Sequence, residues 1–279
     1  MKPSIEDIAR IVTAQQQKNA RFAARVVQAT PTGDVLPYHG LTIHQTPYLA
    51  WLREHYVVSD ASPMVERMRV AAEIALYTPP TETVLITGET GTGKEIFARS
   101  FAAGGLPFVS VNCTGLPDYL IESELFGHVA GSFTGALSTK RGLLQVASNG
   151  VLLLDEIGDM PVHLQPKLLR AIQERVIRPV GGVEEIPIAC RVIAASHQDL
   201  RAKLREDLFW RISTHQIHLI PLSERLDDAV VYLTGKGVPS VIVKRFVDTY
   251  TGGNFRAVQQ FYSRWRLATK CAAAGTPPA

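Results

Sequence analysis

Thr83-Val84-Leu85-Ile86-Thr87-Gly88-Glu89-Thr90-Gly91-Thr92-Gly93-Lys94-Glu95-Ile96-Phe97-Ala98-Arg99 decides the architecture of this chain. An apolar stretch rich in strand formers runs into a glycine loop, and a helix-like segment follows it. Glycines let a loop wrap its backbone N–H groups around an anion. The helix that follows presents its positive N-terminal end, and a lysine at position 94 reaches the β- and γ-phosphate oxygens. Gly88, Glu89, Thr90, Gly91, Thr92, Gly93 and Lys94 are therefore the candidate phosphate cradle, with Glu95 beside them in the nucleotide-binding set. The usual pattern places Ser or Thr after the lysine to hold magnesium, whereas this chain has Glu95.

A second half of the site lies downstream. Val151-Leu152-Leu153-Leu154-Asp155-Glu156 is an apolar strand ending in two acids. A strand buried on both faces has little reason to end in paired carboxylates unless a cation sits there. On that basis Asp155 holds Mg2+, directly or through water, and Glu156 polarises the water that attacks ATP. The bland alternative makes both acids solvated residues of a strand-to-helix loop.

Apolar runs alternate with helical patterns from about residue 60, which predicts a parallel sheet covered by helices. The strand candidates are Thr83–Thr87, Phe108–Asn112, Val151–Leu154, Arg191–Ala195 and Gln216–Leu219, with a helix through Leu164, Leu168, Leu169 and Ile172. Beyond Pro221 the patterns are helical: Val230–Leu233, Val241–Tyr250 and Phe255–Leu267. Four regions are expected: a helical or irregular extension (1–59), an α/β nucleotide-binding part (60–221), an α-helical lid (222–270) and a flexible tail (271–279). The first thirty residues are spaced as helix, and Thr30 to Gly40 is rich in turn residues. Tyr48, Trp51 and Tyr56 suggest no site.

Composition narrows the function classes. A net charge of +3 over 279 residues does not argue for nucleic acid, which would require a clustered basic face. Cys113, Cys190 and Cys271 lack metal-ligand spacing and suit a reducing cytoplasm. No apolar run has the length of a signal peptide or of a membrane span.

Several segments resemble the AAA+ domain of bacterial sigma-54-dependent transcriptional activators. Glu122-Ser123-Glu124-Leu125-Phe126-Gly127-His128 leads into Gly131-Ser132-Phe133-Thr134-Gly135-Ala136. The family carries G-A-F-T-G-A in this place, so only Ser132 differs. Glu95 is also a trait of the family, and Asp155-Glu156-Ile157-Gly158-Asp159-Met160-Pro161 is similar to its second acidic motif. The resemblance covers roughly residues 60 to 265. It implies an ATPase working as a homo-oligomeric ring, expected to be a hexamer, on sigma-54 RNA polymerase. Gly131, Ser132, Phe133, Thr134, Gly135 and Ala136 would touch the sigma factor, with Phe133 and Thr134 as an exposed tip between glycine hinges; the alternative folds Phe133 back into the core.

The resemblance assigns further roles. Asn112 matches a switch asparagine that engages Glu156 in one nucleotide state, although it could equally cap the following turn. Arg205 and Arg211 match arginines that reach a neighbouring subunit's γ-phosphate, with surface salt bridges as the alternative. Arg256, in Gly253-Asn254-Phe255-Arg256, would reach the nucleotide from the lid. Pro221-Leu222-Ser223-Glu224-Arg225 matches the hinge between the two parts.

Three departures stand out. Ser196-His197 replaces Thr-Asn after the fourth strand, which leaves His197 either structural or bonded to water or phosphate. The lid is short. Only Cys271–Ala279 follows it, too little for the helix-turn-helix of relatives, and residues 1–59 are too short for a receiver domain. DNA binding is not evident, so action from solution or through a DNA-binding partner is expected. Two other functions stay open: a remodelling ATPase of phage or mobile-element origin with another client, and a low-turnover nucleotide-binding regulatory module.

Overall fold

The computed structural model describes residues 46–273 apart from Leu116. The expectations for the first thirty residues and for Thr30 to Gly40 lie outside the described residues.

Helices α1 (Pro47–His55) and α2 (Met64–Tyr77) come first. Thr46 caps α1, its side chain accepting a hydrogen bond from Leu49 N, and Pro47 stands at the first turn where its missing N–H costs nothing. Strand β1 (Val84–Thr87) passes through the glycine loop into α3 (Lys94–Ser100). Strand β2 (Phe108–Asn112) leads to α4 (Asp118–Phe126) and to a small antiparallel ladder, β3 (Gly127–His128) with β4 (Lys140–Arg141). After α5 (Leu143–Val146) come β5 (Val151–Asp155), α6 (Gln165–Glu174) and a second short ladder, β6 (Val176–Ile177) with β7 (Ile186–Pro187). Then follow β8 (Arg191–Ser196), α7 (Glu206–Ile212) and β9 (His215–His218). Helices α8 (Leu226–Gly235), α9 (Ser240–Thr249) and α10 (Asn254–Ala273) form the lid.

All five expected strands join one parallel sheet in the order β2-β5-β8-β1-β9. The last lies one residue earlier than the sequence suggests, because Thr87 pairs with His218 and ends the ladder there. The sheet is covered on both faces, and period-two alternation sorts the side chains. Leu152 and Leu154 enter one core with α4, α6 and α7, while Val151 and Leu153 enter the other with α1, α2 and α3. Each of these four is at most 1% exposed, and burying such a side chain contributes about 1.5–3 kcal/mol.

Leu49, Leu52 and Tyr56 share the second core with Phe97 and Ala98 of α3. The boundary expected at residue 60 therefore falls inside a packed unit, and residues 46–59 belong to the nucleotide-binding body. The lid has its own core of Leu222, Val230, Leu233, Val243, Val247 and Val258. Helix α10 continues to Ala273, so residues 271–273 are helical and not part of a tail.

Candidate nucleotide cleft and client loop

Parallel pairing places the C-terminal ends of β1, β5 and β8 side by side, with Thr87 opposite Ser196 and Leu154 opposite Ala194. The glycine loop follows β1, Glu156 follows β5 and His197 follows β8. The crevice outside those strand ends is where open α/β sheets bind ligands. Gly93 has φ +100°, and a Cβ there would come within 2.5 Å of the Tyr56 ring, so only glycine fits.

Lys94 opens α3 and is buried. Its Nζ donates to Gly88 O at 2.9 Å and Glu89 O at 3.3 Å, and lies 3.9 Å from Glu156 Oε1. Burial lowers the pKa of this ammonium, opposed by the charges of Glu156 and Asp155. Asp155 shows the complementary shift: burial pushes its pKa up, Glu156 adds to the push, and Lys94 counters it. Two carboxylates with a single nearby ammonium form a donor set that a divalent cation would complete. Glu95 pairs with Arg99 at 2.8 Å on the exposed side of α3, and its charge adds a smaller upward push to Asp155.

Glu156 sits in the left-handed region at φ 51°, a conformation that costs a non-glycine residue about 1–3 kcal/mol and often marks a functional site. Its Oε2 accepts from His197 N at 3.3 Å and lies 2.8 Å from His197 Nδ1. His197 thus holds the carboxylate. Asn112 does not touch Glu156 here. Its Oδ1 accepts from Thr114 N at 2.8 Å, which is the turn-capping role.

Asp159, Gln198 and Thr114, to which the sequence assigns no role, tie these strand ends together. Asp159 accepts from Gln198 Nε2 at 3.0 Å and from Thr114 Oγ1 at 3.0 Å. Those bonds hold its pKa below the usual carboxylate range, Gln198 contributing most. A polar Asp-x-x-x segment after two acids was the available signal, but helix-start acids look the same in sequence.

The lid closes over the loop. Asn254 Nδ2 donates to Glu89 Oε2 at 2.8 Å and Thr90 O at 3.1 Å, its Oδ1 accepts from Leu222 N at 2.7 Å, and Phe255 N donates to Gly91 O at 3.2 Å. Arg256 is exposed beside Gly91, whose added Cβ would stand 3.5 Å from the Arg256 Cβ. Behind the loop lies a buried polar cluster. Tyr56 donates its hydroxyl to Thr92 O, and Arg225 donates to Tyr56 Oη at 2.9 Å and to Asp228 at 2.8 Å. Asp228 also accepts from Ser59 N at 2.7 Å and Ser62 Oγ at 2.8 Å. Burial pushes the Tyr56 phenol up to about 12, so it remains a donor at neutral pH.

Arg205 and Arg211 are exposed, at the start and end of α7. Arg205 forms a bidentate pair with Asp207, at 3.1 and 2.7 Å. Among the described residues neither arginine bonds to Lys94, Asp155 or Glu156.

The 131–136 loop rises from the β3–β4 ladder and is closed by Gly131 N donating to Ala136 O at 2.8 Å. Thr134 is exposed, but Phe133 is half-buried, with its ring edge-on to His128 at 5.0 Å and tilted against Tyr119 at 6.5 Å. The phenylalanine expected at an exposed tip is tucked against α4 and its C-terminal strand. Ser132 Oγ is buried with no hydrogen-bond partner, and the Ser132 Cβ crowds Gly181 in the β6–β7 turn. Leu137, just past the loop, is 95% exposed.

Residues 57–218 match the family model described as the sigma-54 interaction domain. The chain belongs to that family. The transcriptional regulatory protein GlrR of Escherichia coli K12 is 46% identical over 176 residues, covering 60% of this chain and 39% of GlrR. The regulatory protein AtoC of the same strain is 40% identical over 226 residues, covering 77% of this chain and 46% of AtoC. A crystal structure of NtrX from Brucella abortus in complex with ATP aligns with a TM-score of 0.63 at 26% identity, covering 76% of this chain and 50% of that one. The chain thus spans less than half the length of both regulators. Membership of the sigma-54 interaction family and the five-stranded parallel sheet agree on the AAA+ P-loop fold.

Proposed function

We propose that this chain hydrolyses ATP in a homo-oligomeric ring, a hexamer, and uses the turnover to remodel sigma-54 RNA polymerase in the bacterial cytoplasm. The observation that carries the hydrolytic part is the placement of Glu156. One carboxylate oxygen is fixed by His197, and the other faces Lys94 over the glycine loop.

Lys94 exchanges its bonds to Gly88 O and Glu89 O for phosphate oxygens. Asp155 would hold Mg2+, which would neutralise charge on the phosphates when bound. Glu156 polarises the attacking water while His197 keeps its carboxylate aimed. Arg205 and Arg211 serve the cleft of a neighbouring subunit, and Arg256 closes on the nucleotide of its own. Arg205 must first leave Asp207, an exposed pair that water readily separates.

The client loop is poised for release. An aromatic pair such as Phe133–His128 contributes about 0.5–1.5 kcal/mol, while a buried unpaired hydroxyl such as that of Ser132 costs about 1–3 kcal/mol. Release would trade the Phe133 ring contacts against solvation of the Ser132 hydroxyl, and a shift at the cleft would free Phe133 and Thr134 for the sigma factor.

Purified chain should hydrolyse ATP with a rate per chain that climbs as protein concentration rises, because the arginines act in trans. A specific activity independent of concentration would remove Arg205 and Arg211 from the scheme. Phe133→Ala should hydrolyse ATP at close to the wild-type rate yet lose promoter opening at least tenfold. Promoter opening at the wild-type level by that variant would rule out the client role of the loop.

A further inference from the structure

The modest net charge of the chain hides an uneven distribution. Residues 222–270 carry eight Lys and Arg against four Asp and Glu, so the lid holds a surplus larger than the +3 of the whole chain. Helix α10 is the extreme case. Arg256, Arg264, Arg266 and Lys270 lie on it, and between Asn254 and Ala273 there is no acid.

Helical geometry gathers these charges. At 100° per residue the four cations fall within roughly half of the helix circumference. The opposite side packs Val258, Phe261, Tyr262 and Trp265 into the lid core. All four cations are exposed, and none has an ion-pair partner among the described residues.

We propose that the outer face of α10, centred on Arg264, Arg266 and Lys270, docks on the sugar–phosphate backbone of duplex DNA without reading bases. An acid-free row of exposed Lys and Arg is complementary to a continuous line of phosphates. From Arg256 to Lys270 the row is about 20 Å long at the rise of an α-helix, enough to follow several phosphates. The aromatic rings of the helix are engaged in the lid core, so the face offers no stacking platform for unpaired bases. Duplex is therefore favoured over single strand.

The test is fluorescence anisotropy of a labelled duplex of arbitrary sequence, titrated with the 279-residue chain at several salt concentrations. Binding should weaken with salt, with a slope of log K against log salt near −2.7, about −0.9 for each of three phosphates. The triple variant Arg264→Ala, Arg266→Ala, Lys270→Ala should lose at least about tenfold in affinity and flatten that slope. Its ATP hydrolysis and melting temperature should match the wild type, which separates lost contacts from lost folding. No anisotropy change at low salt, or equal binding by the variant, would overturn the proposal. So would equally tight binding of a single strand or of polyglutamate.

Discussion

Glu156→Gln is expected to bind ATP as the wild type does and to hydrolyse it about 10²–10⁴-fold more slowly, the range set by loss of a positioned general base. Glutamine keeps the shape of the side chain and can still accept from His197 N and Nδ1–H through its amide oxygen. The aim of the side chain is thereby preserved, and only the negative charge and basicity are lost. Removing that charge also relieves one of the influences that push the Asp155 pKa up, leaving burial and the weaker charge of Glu95, so the magnesium ligand is not weakened. Phosphate release at saturating ATP, together with binding of a fluorescent ATP analogue, checks both halves. A residual rate within tenfold of wild type would show that another group activates the water. Equal loss of nucleotide binding would show instead that the cleft had been damaged.

Much of the cleft was legible because its signals are local. A glycine loop between an apolar strand and a helix reports its own conformation, and Val151–Leu154 announces burial on both faces through an unbroken apolar run. The five strands fall where their β-branched and apolar residues place them. Their order in space was a different matter, since pairing β1 between β8 and β9 depends on contacts more than a hundred residues apart. His197 reads equally as structural or polar in sequence for the same reason: only the fold brings it to Glu156, forty-one residues away. Phe133 looks exposed in sequence because it is an apolar residue between glycines, whereas His128 and Tyr119 give it the partial shelter that the folded-back alternative allows. Tyr56 carried no visible role at all. Its meaning lies in Thr92, Arg225 and Asp228, and a lone aromatic before a helix gives no hint of such partners.

The buried cluster around Tyr56 makes the largest stability prediction. Arg225 and Asp228 side chains are both fully inaccessible, and their pair also collects Ser59, Ser62, Tyr56 and the Ile220 carbonyl. Asp228→Ala would leave the guanidinium buried without its counter-charge, a change that costs about 3–5 kcal/mol. For a domain of this size that corresponds to a fall in melting temperature of roughly 6–20 °C, taking about 2–4 °C per kcal/mol. Replacing both partners by apolar residues, Arg225→Met with Asp228→Leu, should recover part of the loss, because the orphaned charge is removed although Ser59 N and Ser62 Oγ lose their acceptor. Thermal unfolding followed by circular dichroism distinguishes these cases. A single variant that melts within 2 °C of wild type, roughly the shift from 1 kcal/mol at most, would mean the pair is dispensable. The double variant carries a second consequence. With Arg225 gone, Tyr56 loses the donor that orients its hydroxyl toward Thr92 O, so the glycine loop is less firmly tied to the lid. A stable double variant should therefore show a raised KM for ATP with little change in kcat, linking a buried ion pair to nucleotide affinity through one phenol.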